Sequence, residues 1–408
     1  MFDVQACRAQ FPGLAREVNG RPAVFLDGPA GSQVPRRVAD AVSHYLLHTN
    51  ANTGGPFLTS RETDELLAAA HKAAAALFGA TDPAEVAFGQ NMTSLTFALS
   101  RALAAGWGPG DEVVVTRLDH DANVTPWVRA ARDAGAAVRF VPIRPEDCTL
   151  RLDELEAALS PRTRLVAVGA ASNAVGTVNP VKRITERAHA AGAKVFVDAV
   201  HYAPHLPMDV ADWGCDFAAC SAYKFFGPHV GLLWGKRHLL EELPAYAVRP
   251  AAGAVPGRWM TGTQSHEGIA GVLAALDYLA DLGGGGDRRA ALRTAYAAIA
   301  AYERDLGARL LRGLRNVRGV RVWGITDPAR LAERVPTVAV TLDRLPAPAV
   351  AEELGRRGIF VWAGHFYAVE VVEALGLAPA GVVRLGLLHY NTAAEVDRLL
   401  GELATLAG

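Results

Sequence analysis

The chain is short of cysteine, of net charge and of long apolar runs. Its four cysteines, Cys7, Cys148, Cys215 and Cys220, are too few and too scattered for a disulfide framework. Cys215 and Cys220 lack the spacing of a metal-binding pair, so buried thiols are expected and no metal site is. With 41 basic and 42 acidic side chains the formal charge is -1. No basic excess points to nucleic acid or an anionic membrane. No apolar stretch reaches the roughly 18 residues that cross a bilayer. The opening MFDVQACRAQFPGL lacks the basic-then-apolar order of a secretory leader. The expectation is a soluble cytoplasmic protein, with no internal repeat and no long low-complexity tract.

What is present is an ordinary globular composition, half apolar and one fifth charged over 408 residues. That length buries a large core and predicts two domains. From Asp111 onward, short Val-rich runs alternate with helical periods, Val113–Val115, Ala122–Ala134, Val138–Val141, Leu152–Leu159, Leu165–Val168 and Val181–Ala191. Alternating βαβ units predict a mainly parallel sheet with helices on both faces. The Gly283–Gly286 run is the sharpest break in composition and marks a domain boundary or a loop beside one. The reading gives a large domain over 20–284, a smaller α+β domain over 285–408, and an arm over 1–19 packing on the latter. Strands are also expected at Pro22–Leu26 and Ile359–Trp362, a helix over Arg36–Leu47, and a capping box at Thr392 with Glu395 three residues on.

The organising stretch is KVFVDAVHYAPHLPMDVADWGCDFAACSAYKFFGPHVG, Lys194–Gly231. Two buried strands are predicted, one ending in Asp198, the other ending in Ser221 with Lys224 three residues on. Ligands of open α/β sheets sit just beyond such strand ends. An aspartate and a lysine together suit pyridoxal phosphate, which needs an amine for its Schiff base and an acid for its ring nitrogen. Taken singly, Asp198 could be a helix cap and Lys224 a surface lysine. The Ser-x-x-Lys reading of SAYK fails because Lys-Thr-Gly and Ser-Asp-Asn are both lacking.

Other strand ends add to the same edge. His120 and Asp121 follow one strand, Asn173 follows another, and GQNMTS leads from Glu85–Phe88 into a helix over Thr93–Ala105. A strand, a polar turn and a helix N-terminus make an anion site, although Thr93 could be no more than a cap. The loop HTNANTGGPFLTS has the composition of a functional loop or a plain connector.

At this point the ordered motifs FLDGPAGSQVP, NMTS, DHDANVTPW, SNAVGTVNPV, VDAVH, SAYKFFGPHVG, TGT and VRLGLLHYNT resemble the class V aminotransferase family of fold type I pyridoxal-phosphate enzymes. The likeness covers about Val24 to Leu400 and is nearest to the branch of cysteine desulfurases and selenocysteine lyases. It implies a seven-stranded-type sheet in the large domain and pyridoxal 5'-phosphate as cofactor. It implies that Lys224 binds the cofactor covalently, Asp198 pairs with its ring nitrogen, and His120 stacks on its ring and takes part in catalysis. Asn173 and His201 would lie near the ring, His201 where desulfurases usually carry Gln. Thr93, Ser221 and Tyr223 would hold the phosphate, with Met92 beside them and Tyr223 where many relatives have His. Thr263 resembles a phosphate contact from a second subunit, which implies a homodimer with a shared active site. Arg384, with Asn173, would take the substrate carboxylate.

One departure bears on the reaction. Desulfurases use a loop cysteine as sulfur acceptor, and Tyr367 of WAGHFYAVE stands at or beside that position. Tyr367 is thus a catalytic candidate, and β-elimination of a sulfur or selenium group is favoured, since it needs no protein thiol. Transamination or epimerisation of an amino acid shares the same first steps. A cofactor-binding scaffold without turnover is the third reading.

Overall fold

The computed structural model describes residues 2–251 and 253–408. A seven-stranded sheet runs in the order Val86–Gly89, Gly231–Gly235, Phe217–Ser221, Lys194–Asp198, Thr163–Gly169, Glu112–Thr116, Ala137–Val141. All strands share one direction except Gly231–Gly235, which is antiparallel to both neighbours. The apolar LLWG run thus lies between the edge strand Val86–Gly89 and the rest of the parallel series.

The period of two expected of strands is visible in the packing. Val114, Val195, Val197, Ala218 and Cys220 join the core cluster on one face. Val113, Val115, Phe196, Phe217 and Ala219 join the cluster on the other, against Met92–Ala104 and Thr125–Ala134. Burial on both faces explains why these strands read as continuous apolar runs.

A second, four-stranded sheet is wholly antiparallel, in the order Val320–Trp323, Thr337–Leu342, Val382–Gly386, Trp362–Gly364. Arg288–Leu314, Ala347–Arg356 and Ala393–Ala407 cover it. The capping box expected at Thr392 and Glu395 is present. The glycine run sits in the reversal between His266–Leu282 and Arg288–Leu314. Gly284, Gly285 and Gly286 all have positive φ, and a Cβ on Gly283 would lie 1.9 Å from Ala291 O, so the turn tolerates only glycine.

Two expectations are corrected. The strand expected over Ile359–Trp362 is broken at Val361. Ile359–Phe360 pairs in parallel with Val24–Phe25, while Trp362–Gly364 pairs with Val382–Gly386. The Pro22–Leu26 strand therefore packs with the second sheet, and Val24 and Leu26 lie in its core. The helix expected over Arg36–Leu47 is α-helical only to His44 and widens into a π turn over Tyr45–Thr49.

The N-terminal arm bridges both parts. Phe2 stacks on Tyr302, and Phe11 meets Phe226, Tyr278 and Tyr390. Arg8 pairs with Glu395 at 3.0 Å.

Candidate active site

At the carboxyl ends of the central strands lies a cavity of about 980 Å³. Lys194–Asp198 ends at its floor. Asp198 is 7 % exposed and its Oδ1 accepts from Val200 N at 2.9 Å. Burial raises its carboxyl to about 6, against the pull of the Val200 bond and the Lys224 cation.

The neighbouring strand ends in Ser221, and the turn Ala222–Lys224 carries Lys224 into the cavity. Its Nζ donates to Pro29 O and lies 4.9 Å from the Tyr223 ring centre. Burial and the Arg384 cation push its ammonium down to about 7, with Asp198 opposing. A large fraction of this lysine is therefore the neutral, nucleophilic amine at neutral pH.

One end of the cavity is built on Met92–Ala104. Asn91 caps this helix through Ser94 N, and Met92 N donates to Ser221 Oγ at 2.9 Å. Met92, Thr93 and Ser94 face the cavity with Ser221 and Tyr223. A helix start beside hydroxyls is suited to an anion. His229, not anticipated from sequence, stacks on Tyr223 with centroids 4.9 Å apart and planes 13° from parallel.

His120 caps the turn Asp121–Asn123, its Nδ1 accepting from Ala122 N at 3.0 Å. Burial pushes its imidazole down to about 4, and Lys224 and Arg384 add to this. The ring is neutral near pH 7. The polar residue beside it that faces the cavity is Asp119, not Asp121. Asp121 instead accepts from Thr125 Oγ1. Asp119 takes Thr116 Oγ1 at 2.8 Å and Gly169 N at 2.5 Å. Burial, with the nearby Asp198 charge adding to it, raises its carboxyl to about 8.

His201 is buried, with Nε2 2.9 Å from Thr337 Oγ1. Burial holds its imidazole well below the usual range, and His205, Arg384 and Lys224 add to this. Arg384 is 4 % exposed, donates to Asn173 O at 2.9 Å and lies 4.0 Å from the Phe366 ring centre. Burial lowers its guanidinium to about 9, with Asp27 opposing. Its Nε and Asn173 Oδ1 are buried without a partner, two unmet polar atoms that a bound ligand would satisfy.

The loop after Trp362–Gly364 turns into the same cavity. Phe366 and Tyr367 hold positive φ of 53° and 59°, a region that bulky residues rarely adopt. Asn173 Nδ2 donates to Phe366 O at 2.9 Å, and Asp121 N to Tyr367 O at 2.8 Å. Apart from Asp121, of the residues predicted from sequence only Thr263 is outside this cavity. It lines an adjoining one of about 660 Å³, and Ser94 and His229 border both. Asp119, His229, Trp362 and Phe366 were missed. Asp119 could have been found as a polar strand end next to His120, whereas nothing local marks the other three.

An amine of lowered basicity, a buried acid at a strand end, a neutral ring and a helix start with hydroxyls make the arrangement that of a fold type I pyridoxal-phosphate enzyme. A family model described as aminotransferase class-V matches residues 24–399, and the chain belongs to that family. A cysteine desulfurase of Synechococcus elongatus is 34% identical over 417 residues, covering 98% of this chain and 63% of the relative. The chain thus spans less than two thirds of that relative's length. A cysteine desulfurase of Cronobacter sakazakii is 34% identical and covers 98% of each chain. The solved cysteine desulfurase of Escherichia coli in its S-sulfonic acid form superposes with a TM-score of 0.86 at 27% identity, over 100% of each chain.

Proposed function

We propose that this pyridoxal 5'-phosphate enzyme removes the Cα proton of an amino acid and expels a β-substituent, sulfur or selenium, in the manner of the desulfurase-like branch. The observation that carries the reading is the pairing of a lysine amine lowered to about 7 with a cavity that none of the four cysteines lines. The first supplies the base, and the second fits an elimination that hands no sulfur to a protein thiol.

The positions of the residues support the following roles. Lys224 binds the cofactor and then moves the Cα proton. Asp198 would hold a proton on the ring nitrogen, His120 would cover the ring, and His201 and Asn173 would lie near it. Met92, Thr93, Ser221 and Tyr223 would hold the phosphate. Arg384 and Asn173 take the α-carboxylate, and Tyr367 closes the substrate side. When bound, the cofactor supplies the electron sink that makes loss of the Cα proton possible.

The same proposal includes a homodimer in which Thr263 reaches the partner's phosphate site. It is supported by the exposed apolar side chains Leu47, Phe57, Leu58 and Tyr246 (73%, 54%, 63% and 64% exposed). The division into units of 20–284 and 285–408 remains our reading, with Val24–Phe25 joining the second. No described helix is long and apolar enough to cross a membrane, and a cytoplasmic setting is part of the proposal.

The test is an absorbance spectrum of the purified protein before and after L-amino acids including cysteine. A yellow band that returns, with keto acid and a released leaving group, supports elimination. A lasting shift to the colourless amine form means transamination, and inversion of Cα without product means epimerisation. A band with no turnover on any amino acid leaves the scaffold reading, and no band with added cofactor overturns the whole assignment.

A further inference from the structure

Arg384 and Trp362 face each other across the antiparallel pair Val382–Gly386 and Trp362–Gly364. Directly opposed residues project from the same face of a sheet, so the indole stands beside the proposed carboxylate grip. Phe366 covers the guanidinium at 4.0 Å. Tyr367 lies over His120. Phe97 and His365 border the same space. Trp362 and Tyr367 are 53% and 65% exposed although both line the cavity. Large apolar rings left uncovered inside a binding cavity are contact area for a planar apolar group.

The loop is preformed for such contact. Two aromatic residues in left-handed backbone are held by Asn173, by Asp121 and by the Tyr367 N to His365 Nδ1 bond of 3.0 Å. A small polar substrate side chain would leave this aromatic surface unused. A sulfur leaving group finds no thiolate to attack it. All four cysteines are buried, and burial pushes the thiols of Cys7 and Cys148 up to about 11 and about 12. The leaving sulfur must therefore carry its own second substituent or depart as hydrogen sulfide.

Resting on the elimination reading above, we propose that the substrate is a cysteine thioether whose sulfur bears an apolar, ring-containing group, and that Trp362 and Tyr367 receive this group. Lys224 takes the Cα proton. The Cβ–S bond breaks with both electrons staying on sulfur. The sulfur is protonated and leaves as a thiol, and water converts the three-carbon remainder to pyruvate and ammonium. One thioether and one water give one thiol, one pyruvate and one ammonium, with no oxidant or reductant.

The experiment gives the holoenzyme S-benzyl-L-cysteine and L-cysteine in parallel and measures pyruvate together with phenylmethanethiol or sulfide. The expected result is a kcat/KM at least about tenfold higher for the thioether, the scale of discrimination that apolar contacts supply. Trp362→Ala should collapse that ratio towards one, and Trp362→Phe should keep most of it. Equal or faster turnover of cysteine overturns the inference and leaves elimination standing. So does a preference that survives Trp362→Ala. Formation of the colourless amine form without thiol or sulfide overturns the elimination reading, and the inference falls with it.

Discussion

The ring of Tyr367 lies against the imidazole of His120, centroids 5.3 Å apart and planes 27° from parallel. The contact joins a loop of the second sheet to a strand end of the first. It places a phenol beside a ring that burial keeps neutral. Tyr367→Phe preserves the stacking and removes only the hydroxyl. The expected outcome is a change in kcat or substrate preference of about a hundredfold, the lower end of what a positioned proton donor contributes, with cofactor affinity unchanged. Cofactor titration by fluorescence checks this, and a weakened affinity in that variant would move Tyr367 into the cofactor's own contacts.

Lys224→Ala should yield a folded protein of unchanged size that no longer retains cofactor after gel filtration, with activity reduced by at least about a thousandfold. Because the amine is lowered to about 7, its neutral form grows as pH rises through that value. The rate at which apoprotein captures added pyridoxal phosphate should climb about tenfold in all between pH 6 and 8, as the neutral fraction goes from about a tenth to about nine tenths, and level off above. A rate indifferent to pH in that window would mean that another group limits capture.

Arg384→Ala should raise KM roughly thirtyfold or more, since it strips a buried carboxylate of its charged partner. Arg384→Lys recovers only part, because the bidentate fork is lost. Steady-state kinetics separate KM from kcat, and an unchanged KM would sink the carboxylate role.

Asp119 offers a test by stability. Its carboxyl is raised to about 8 by burial, with the Asp198 charge adding, above the ordinary value of about 3.9. Folding therefore favours its protonated form. That contribution is complete below pH 4 and is lost progressively as pH climbs towards 8. Asp119→Asn should gain Tm relative to the parent across this window and hold the gain above it. Asp119→Ala should lose about 1–3 kcal/mol below pH 4, because Gly169 N and Thr116 Oγ1 lose their acceptor, and that deficit should shrink as pH climbs towards 8, because alanine does not titrate. Thermal melts at several pH values check both, and a flat Asn-to-Asp difference would mean that the carboxyl is ionised throughout.

The sheet was legible because its strands are buried on both faces and its helices are amphipathic, signals that are local and strong. The break at Val361 was not, because Ile359–Phe360 and Trp362–Gly364 take partners from opposite ends of the chain. Lys224, Asp198 and Arg384 could be singled out as charges at strand ends or in motifs. Asp119 and Asp121 flank His120 alike in sequence, and only the turn after Glu112–Thr116 decides which faces the cavity. Trp362 opens a short strand whose partner lies about twenty residues on, and Phe366 sits in the loop after it, whose course depends on Asn173 and Asp121, far away in sequence.

The pairing of Val24–Phe25 with Ile359–Phe360 has a consequence for the order of assembly. Leu26 N donates to Phe360 O, and the segment continues to Pro29, whose carbonyl receives Lys224. During synthesis the first strand emerges long before its partner exists. The parallel sheet can condense from chain already made, but the rim that seats the lysine must wait until Ile359–Phe360 has left the ribosome. Cofactor capture would then report the arrival of that distant partner rather than the folding of the sheet alone.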